Sequence, residues 1–205
     1  MAKELFRMLN LRFKPNAPKR PPRAMIVGPP GSGKDTQAKL LAEEFGLVYI
    51  STRALLKNEI RKNNDNSKEI VSCLESGDPV PDVIINQVIE KRIRQSDCKV
   101  NGWVLEGFPQ TKAQMNLLKA LKIKPSVCFM FDVPEKVCLK RIEARKVDPL
   151  TGNVYNLDLD PPSDDAVTKR LISLKEDDAK VTKKKYKAYV DYQIQLEDQF
   201  KGDIV

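Results

Sequence analysis

Residues 28–37 read Gly28-Pro29-Pro30-Gly31-Ser32-Gly33-Lys34-Asp35-Thr36-Gln37. Before them, the apolar run Ala24-Met25-Ile26-Val27 stops at Gly28 and reads as a short buried strand. After them, Ala38, Leu41 and Phe45 share one face of a helix expected from Gly33 to about Phe45, with Gly46 as its stop. A glycine-rich turn between a strand and a helix points successive backbone N–H groups inward, where they can surround phosphate oxygens. The helix N-terminus adds partial positive charge, and a lysine at this spacing reaches the outer phosphates. Gly28, Pro29, Pro30, Gly31, Ser32, Gly33, Lys34, Asp35 and Thr36 are therefore candidate ligands of a polyphosphate. A turn with no ligand would not call for Lys34. Asp35 occupies the place where a plain loop of this kind has Ser or Thr, and Thr36 comes one later. An acid there helps the helix start. It also repels a triphosphate, points outward, or approaches a metal, and the sequence leaves these three open.

Outward from the loop, strand and helix patterns alternate. Further strands are expected at Leu47–Ile50, around Val104-Leu105 and at Val127–Phe131, with helices over 52–62, 67–76, 81–95, 111–121 and 134–145. The fold class implied is α/β: a three-layer arrangement with a parallel sheet covered by helices on both faces. Residues 147–162, with Pro149, Gly152 and Pro161-Pro162, break the pattern as a loop or small hairpin. Helices then continue to about Phe200, and Asp203-Ile204-Val205 reads as the start of a fifth strand, as if the domain were cut from a longer protein. Residues 1–22 are a basic, proline-rich arm, and 23–205 form the domain proper. The apolar stretch near the start is interrupted by Arg7, Asn10 and Arg12 and fails as a signal-peptide core.

Composition removes several chemistries. The chain has no histidine, which excludes Ser-His-Asp and Cys-His hydrolysis and every histidine metal site. Its four cysteines form no C-x-x-C pair, so small core residues in a reducing compartment are expected. Chemistry falls to Lys, Arg, Asp, Glu and the backbone, and phosphoryl transfer needs no more. The net charge of +8 suits phosphate ligands. Nucleic acid is disfavoured because the basic residues lack interleaved aromatics. No apolar run is long enough to span a bilayer.

Two further groups carry chemistry. In Gly102-Trp103-Val104-Leu105-Glu106-Gly107, Glu106 closes a buried strand beside the loop, where a carboxylate orients magnesium directly or through water. Arg141 and Arg145 are four apart and would share one helical face; a solvated helix end is the plainer reading of the pair taken alone.

Together these stretches resemble the adenylate kinase family. The loop is similar except that Asp35 replaces a glycine, and Gly107-Phe108-Pro109-Gln110-Thr111 with Gln114 resembles the family's Gly-Phe-Pro-Arg-Thr and following glutamine. Glu106 replaces an aspartate. Ile50-Ser51-Thr52 and Gly77–Asp82 resemble the borders of a monophosphate-binding insert, about 51–80. Residues 146–163 resemble a short LID, whose wording is similar to that of the axonemal branch of the family. The resemblance implies Mg2+-dependent transfer from ATP to AMP giving ADP. Lys34, Arg141 and Arg145 would be catalytic, and Arg141 and Tyr155 would join the loop in holding ATP. Thr52, Lys57, Val80, Gly107, Gln110, Gln114 and Arg145 would hold AMP, with Glu106 on the metal. Gln110 stands where the family has an arginine on the AMP phosphate, Lys57 replaces another, and Arg53-Ala54 replaces Gly-Asp. These departures imply reduced activity or, as an alternative, a nucleotide-binding assembly module; a UMP/CMP kinase is a further alternative, against which Thr52 and Gln114 count. Which of Arg170, Lys175 and Lys185 reaches phosphate stays open. The resemblance also implies a cytoplasmic setting, a cilium or other cytoskeletal assembly being the narrower one, with the basic arm available to a protein partner.

Overall fold

In the computed structural model, described over residues 21–200, the alternation resolves into one parallel sheet and one small hairpin. The sheet strands are β1 (Arg23–Val27), β2 (Val48–Ser51), β3 (Trp103–Glu106) and β4 (Val127–Met130). They lie in the order β2-β3-β1-β4, all parallel. Successive β1 side chains face opposite layers: Ala24 and Ile26 pack with Ala38, Leu41, Val104, Phe129 and Cys138. Met25 and Val27 pack with Ile50, Ile85, Ile89, Leu105, Phe108 and Leu196. Both faces are apolar because both are covered, as a parallel sheet requires. The chain crosses to opposite sides of β1 to form β3 and β4, so ligands are expected at the carboxyl ends of these strands.

The helices are α1 (Lys34–Phe45), α2 (Thr52–Ile60), α3 (Asp65–Ser76), α4 (Asp82–Ile93), α5 (Ser96–Asn101), α6 (Lys112–Ala120), α7 (Glu135–Glu143), α8 (Asp165–Arg170) and α9 (Ala179–Gln199). Three expectations change. The helix expected over 81–95 stops at Ile93; extended Gln95 opens the separate helix α5, which no periodic signal marked. The run to Phe200 is broken between α8 and α9, where Ile172 exchanges backbone hydrogen bonds of 2.9 and 3.0 Å with Val147 and a 3-10 turn covers Lys175–Asp177. Pro22 belongs with the domain and not the arm, since its carbonyl accepts from Trp103 N at 2.9 Å. Residues 1–20 and the expected fifth strand at 203–205 lie outside the described residues.

The segment expected as a loop or hairpin is a hairpin, β5 (Arg145–Val147) against β6 (Val154–Asn156). It begins before residue 147 and is tied to α8 and to the chain just beyond that helix. Arg170 from α8 donates to both oxygens of Asp148, at 2.7 Å each, and Thr151 Oγ1 donates at 2.8 Å. Asp148 has no exposed surface, and the Arg170 guanidinium holds its carboxyl well below the usual range. With Ile172 bridged to Val147, the hairpin and α8 form one tied unit over 145–172, which contains the segment 146–163 expected as a LID. Cys98, Cys128 and Cys138 are buried, as expected of small core residues. Among the described residues no helix is long and apolar enough to cross a membrane.

Candidate active site

The loop after β1 owes its shape to contacts that exclude side chains. Gly31 has φ +80°, and a Cβ there would lie 2.5 Å from the Cys138 carbonyl oxygen. Gly33 caps α1 with φ 91°, also a left-handed conformation. Lys34 opens α1, and its Nζ donates to Pro29 O at 3.1 Å, folding the side chain back over the loop. Its ammonium lies 3.9 Å from a Glu106 carboxylate oxygen. Burial pushes Lys34 below and Glu106 above their ordinary values, each shift opposed by the charge of the other. Ser51 Oγ donates to Glu106 at 3.1 Å, so the end of β2 orients the carboxylate that ends β3.

Asp35 does not face the loop. It accepts from the Tyr49 hydroxyl and pairs with Lys39 at 3.4 Å, contacts that outweigh burial and lower its pKa. Of the three orientations left open by the sequence, the structure has it pointing outward.

Arg141 and Arg145 converge on the loop by a route different from the one expected. Helix α7 ends at Glu143, and Arg145 is the first residue of β5, because its backbone pairs with Asn156. The shared helical face is therefore incorrect. Arg141, still helical, donates through Nη1 to the carbonyls of Ser32 and Gly31 at 3.2 and 3.4 Å. Arg145 is forked onto Asp177, with Nε at 2.9 Å from Oδ2, and it lies near enough to Lys34 to lower that ammonium further. Tyr155, half-buried, pairs with Lys146 in the hairpin.

On the other side, Thr52 donates to the Glu106 carbonyl at 3.0 Å and lies against Gly107, whose φ is +77°. Gln110 is exposed, and its backbone N–H is taken by the Gln114 carboxamide at 2.7 Å. Gln114 is buried and donates from Nε2 to Asp82 at 2.7 Å, so both ends of its amide serve the protein. Val80 is buried in the core, and Lys57 is exposed. The loop, Glu106, Arg141, Arg145, Thr52 and Gly107 thus gather at the carboxyl end of the sheet. Two open candidates are occupied elsewhere: Arg170 on Asp148, and Lys175 on Glu75 at 3.1 Å. Lys185 lies among Arg53, Arg145, Glu176 and Asp177. Sequence reading assigned no role to Glu176 or Asp177. Their partners are 123 and 32 residues away, beyond any local pattern.

The buried hydroxyl of Ser32 has no hydrogen-bond partner among the described residues, and the Glu106 carboxylate ends the strand next to β1. Among the described residues no group of three or more Cys, Asp or Glu could hold a metal unaided. Hard oxygen donors in this number suit magnesium, which takes one or two carboxylates and fills its shell with water and substrate phosphates.

Comparison with known proteins agrees with this geometry. The adenylate kinase family profile matches residues 26–203. The chain is 35% identical over 169 residues to the chloroplastic adenylate kinase of Zea mays, covering 82% of this chain and 76% of that protein. It is 34% identical over 176 residues to the adenylate kinase of Thermotoga maritima, covering 82% and 80%. It is 38% identical over 156 residues to adenylate kinase 8 of Mus musculus, covering 76% of this chain and 33% of that protein. A phosphate loop with its lysine, an acid closing the neighbouring strand, two arginines over the loop and a match along most of the chain lead to one conclusion: this protein belongs to the adenylate kinase family.

Proposed function

We propose that the chain catalyses reversible transfer of the terminal phosphoryl group of ATP to AMP, giving two ADP. The observation that carries this reading is the meeting of Lys34, Arg141 and Arg145 at one loop, opposite Glu106. Phosphoryl transfer asks little covalent chemistry of a protein; it asks for placement and for positive charge where the equatorial oxygens gain negative charge. The loop amides and Lys34 hold the donor phosphates. Arg141, braced on the loop carbonyls, keeps the donor in register together with Tyr155. Arg145 leaves one face of its guanidinium network on Asp177 and turns its charge to the moving group. Mg2+, where bound with the nucleotide, would neutralise phosphate charge, and Glu106 would hold it, directly or through water.

The acceptor lies on the side of Thr52, Lys57, Gly107 and Gln110. In this reading Gln114 acts as the floor of the adenine pocket, with Asp82 fixing which way its amide faces. The insert over 51–80 and the LID unit over 145–172 close on the substrates and exclude water, which otherwise competes as acceptor. A reducing, cytoplasmic setting accords with three buried, scattered cysteines.

The test is ADP formation from ATP with AMP, CMP, UMP and GMP as acceptors. AMP is expected to give the highest kcat/KM. A preference for CMP or UMP would overturn the adenine assignment of Thr52 and Gln114, and nucleotide binding without turnover on any acceptor would make the chain a binding module.

A further inference from the structure

Arg53 sits in the first turn of α2, and the fold turns it toward charges drawn from three other segments. Its Nη2 pairs with Glu176 of the 3-10 turn, whose side chain is 14% exposed. Beside that pair Arg145 is forked onto Asp177. Lys57, one turn along α2, and Lys185 of α9 complete the group; partial desolvation of each ammonium first, with the Arg53 guanidinium adding to it, pushes both below their ordinary value. Four cations thus face two carboxylates. Two other acids act on this group, Glu106 on Arg53 and Asp35 on Arg145, and they already face Lys34 at 3.9 Å and Lys39 at 3.4 Å. Two positive charges remain over, which is the charge of a phosphate monoester dianion with its sign reversed. Gln110 adds none. One further detail points at a ligand: the Nε–H of Arg53 is buried and has no partner among the described residues. A buried donor left unpaired is costly, and it is tolerated where a ligand supplies the acceptor.

We propose that Arg53 is a phosphate-binding residue of the acceptor site, exchanging Glu176 for the monophosphate of the incoming nucleotide. The inference rests on the reading of the chain as a nucleoside monophosphate kinase. Nε and one Nη of a guanidinium form the planar fork that matches two phosphate oxygens, a geometry that Lys57 and Lys185 cannot offer. Glu176 then has a definite task. It holds the guanidinium aimed at the site before substrate arrives and competes with the phosphate for it.

Steady-state kinetics and calorimetry on the full chain test this. Arg53→Ala is expected to raise the KM for AMP by about 10- to 150-fold, the loss of one charge-assisted contact, with the KM for ATP unchanged. Arg53→Lys recovers part of the loss, since it restores charge without the fork. Glu176→Gln, which removes the competitor, lowers the KM for AMP. In calorimetric titrations Arg53→Ala weakens AMP and inorganic phosphate and leaves adenosine as it was. An unchanged KM for AMP in Arg53→Ala overturns the assignment, as does equal weakening of adenosine, which would mark a damaged fold. If the unmodified chain forms no ADP, the kinase reading fails by itself and the titrations judge Arg53 separately. AMP affinity lost in Arg53→Ala then supports it, and affinity unaffected, or absent from the unmodified chain, overturns it.

Discussion

The loop over 28–37 gathers its ligands from one short stretch of chain, whereas the charges opposite come from α2, β5, the 3-10 turn and α9. The first is built mostly of backbone amides. Its shape is set by two left-handed glycines and by the approach of Cys138, which leaves no room for side chains. The second is built of long side chains held in place by ion pairs with Glu176 and Asp177. A backbone cradle tolerates little substitution because each amide is fixed by φ and ψ. A side-chain cluster can exchange members, provided the sum of charge and its direction survive. This explains how the chain carries Gln110 in an exposed position and still has cations to spare on that side.

The contrast can be broken or sharpened by substitution. The largest effect is expected at Arg145, which belongs to both halves. Arg145→Ala should lower kcat on the order of 10^3-fold, as loss of an arginine that meets the moving phosphoryl does, with a small change in either KM. A fall confined to the KM for AMP would assign Arg145 to the acceptor side alone. Next comes Gln110→Arg. Its side chain lies near Gly107 and Thr52, so an added guanidinium should lower the KM for AMP by about 10-fold or more without moving the KM for ATP. An unchanged KM would remove position 110 from the phosphate site.

The smallest effect on turnover is expected at Asp148, which touches neither half and braces the hairpin between them. Its folded pKa is depressed below 3.8, first by the Arg170 hydrogen bonds, so its contribution is fully present above that value and is lost only as the pH falls below it. Limited proteolysis should therefore find the 145–172 unit equally protected from pH 7 to pH 5. Asp148→Asn should expose it at pH 7. Protection that fades between pH 7 and pH 5 would mean that another group holds the unit.

The same division governs what the sequence could reveal. Strand β1, the loop and Glu106 are readable because their signals are local: an apolar run, glycines at fixed spacing, an acid at a strand end. The direction of Asp35 is not readable, since its partner Tyr49 lies on β2, 14 residues away. A spacing of four is a helical signal, and it assigns Arg145 to a helix. The true partner of Arg145, Asn156, becomes visible only when the hairpin forms. Arg170 is one of three basic residues that the sequence leaves open for phosphate, because its fork to Asp148 spans 22 residues. Arg53 stands out in the sequence as a departure from a family pattern, and only the fold shows that it faces Glu176.

Donor binding by this chain depends on Lys34 and the amides around it capturing a polyphosphate. The direct measurement is ADP production from ATP and AMP by the unmodified chain and by Lys34→Met, with folding checked by circular dichroism. Activity by the unmodified chain and a fall in kcat on the order of 10^2- to 10^3-fold in a folded Lys34→Met is the predicted result. Turnover by Lys34→Met equal to that of the unmodified chain would contradict it.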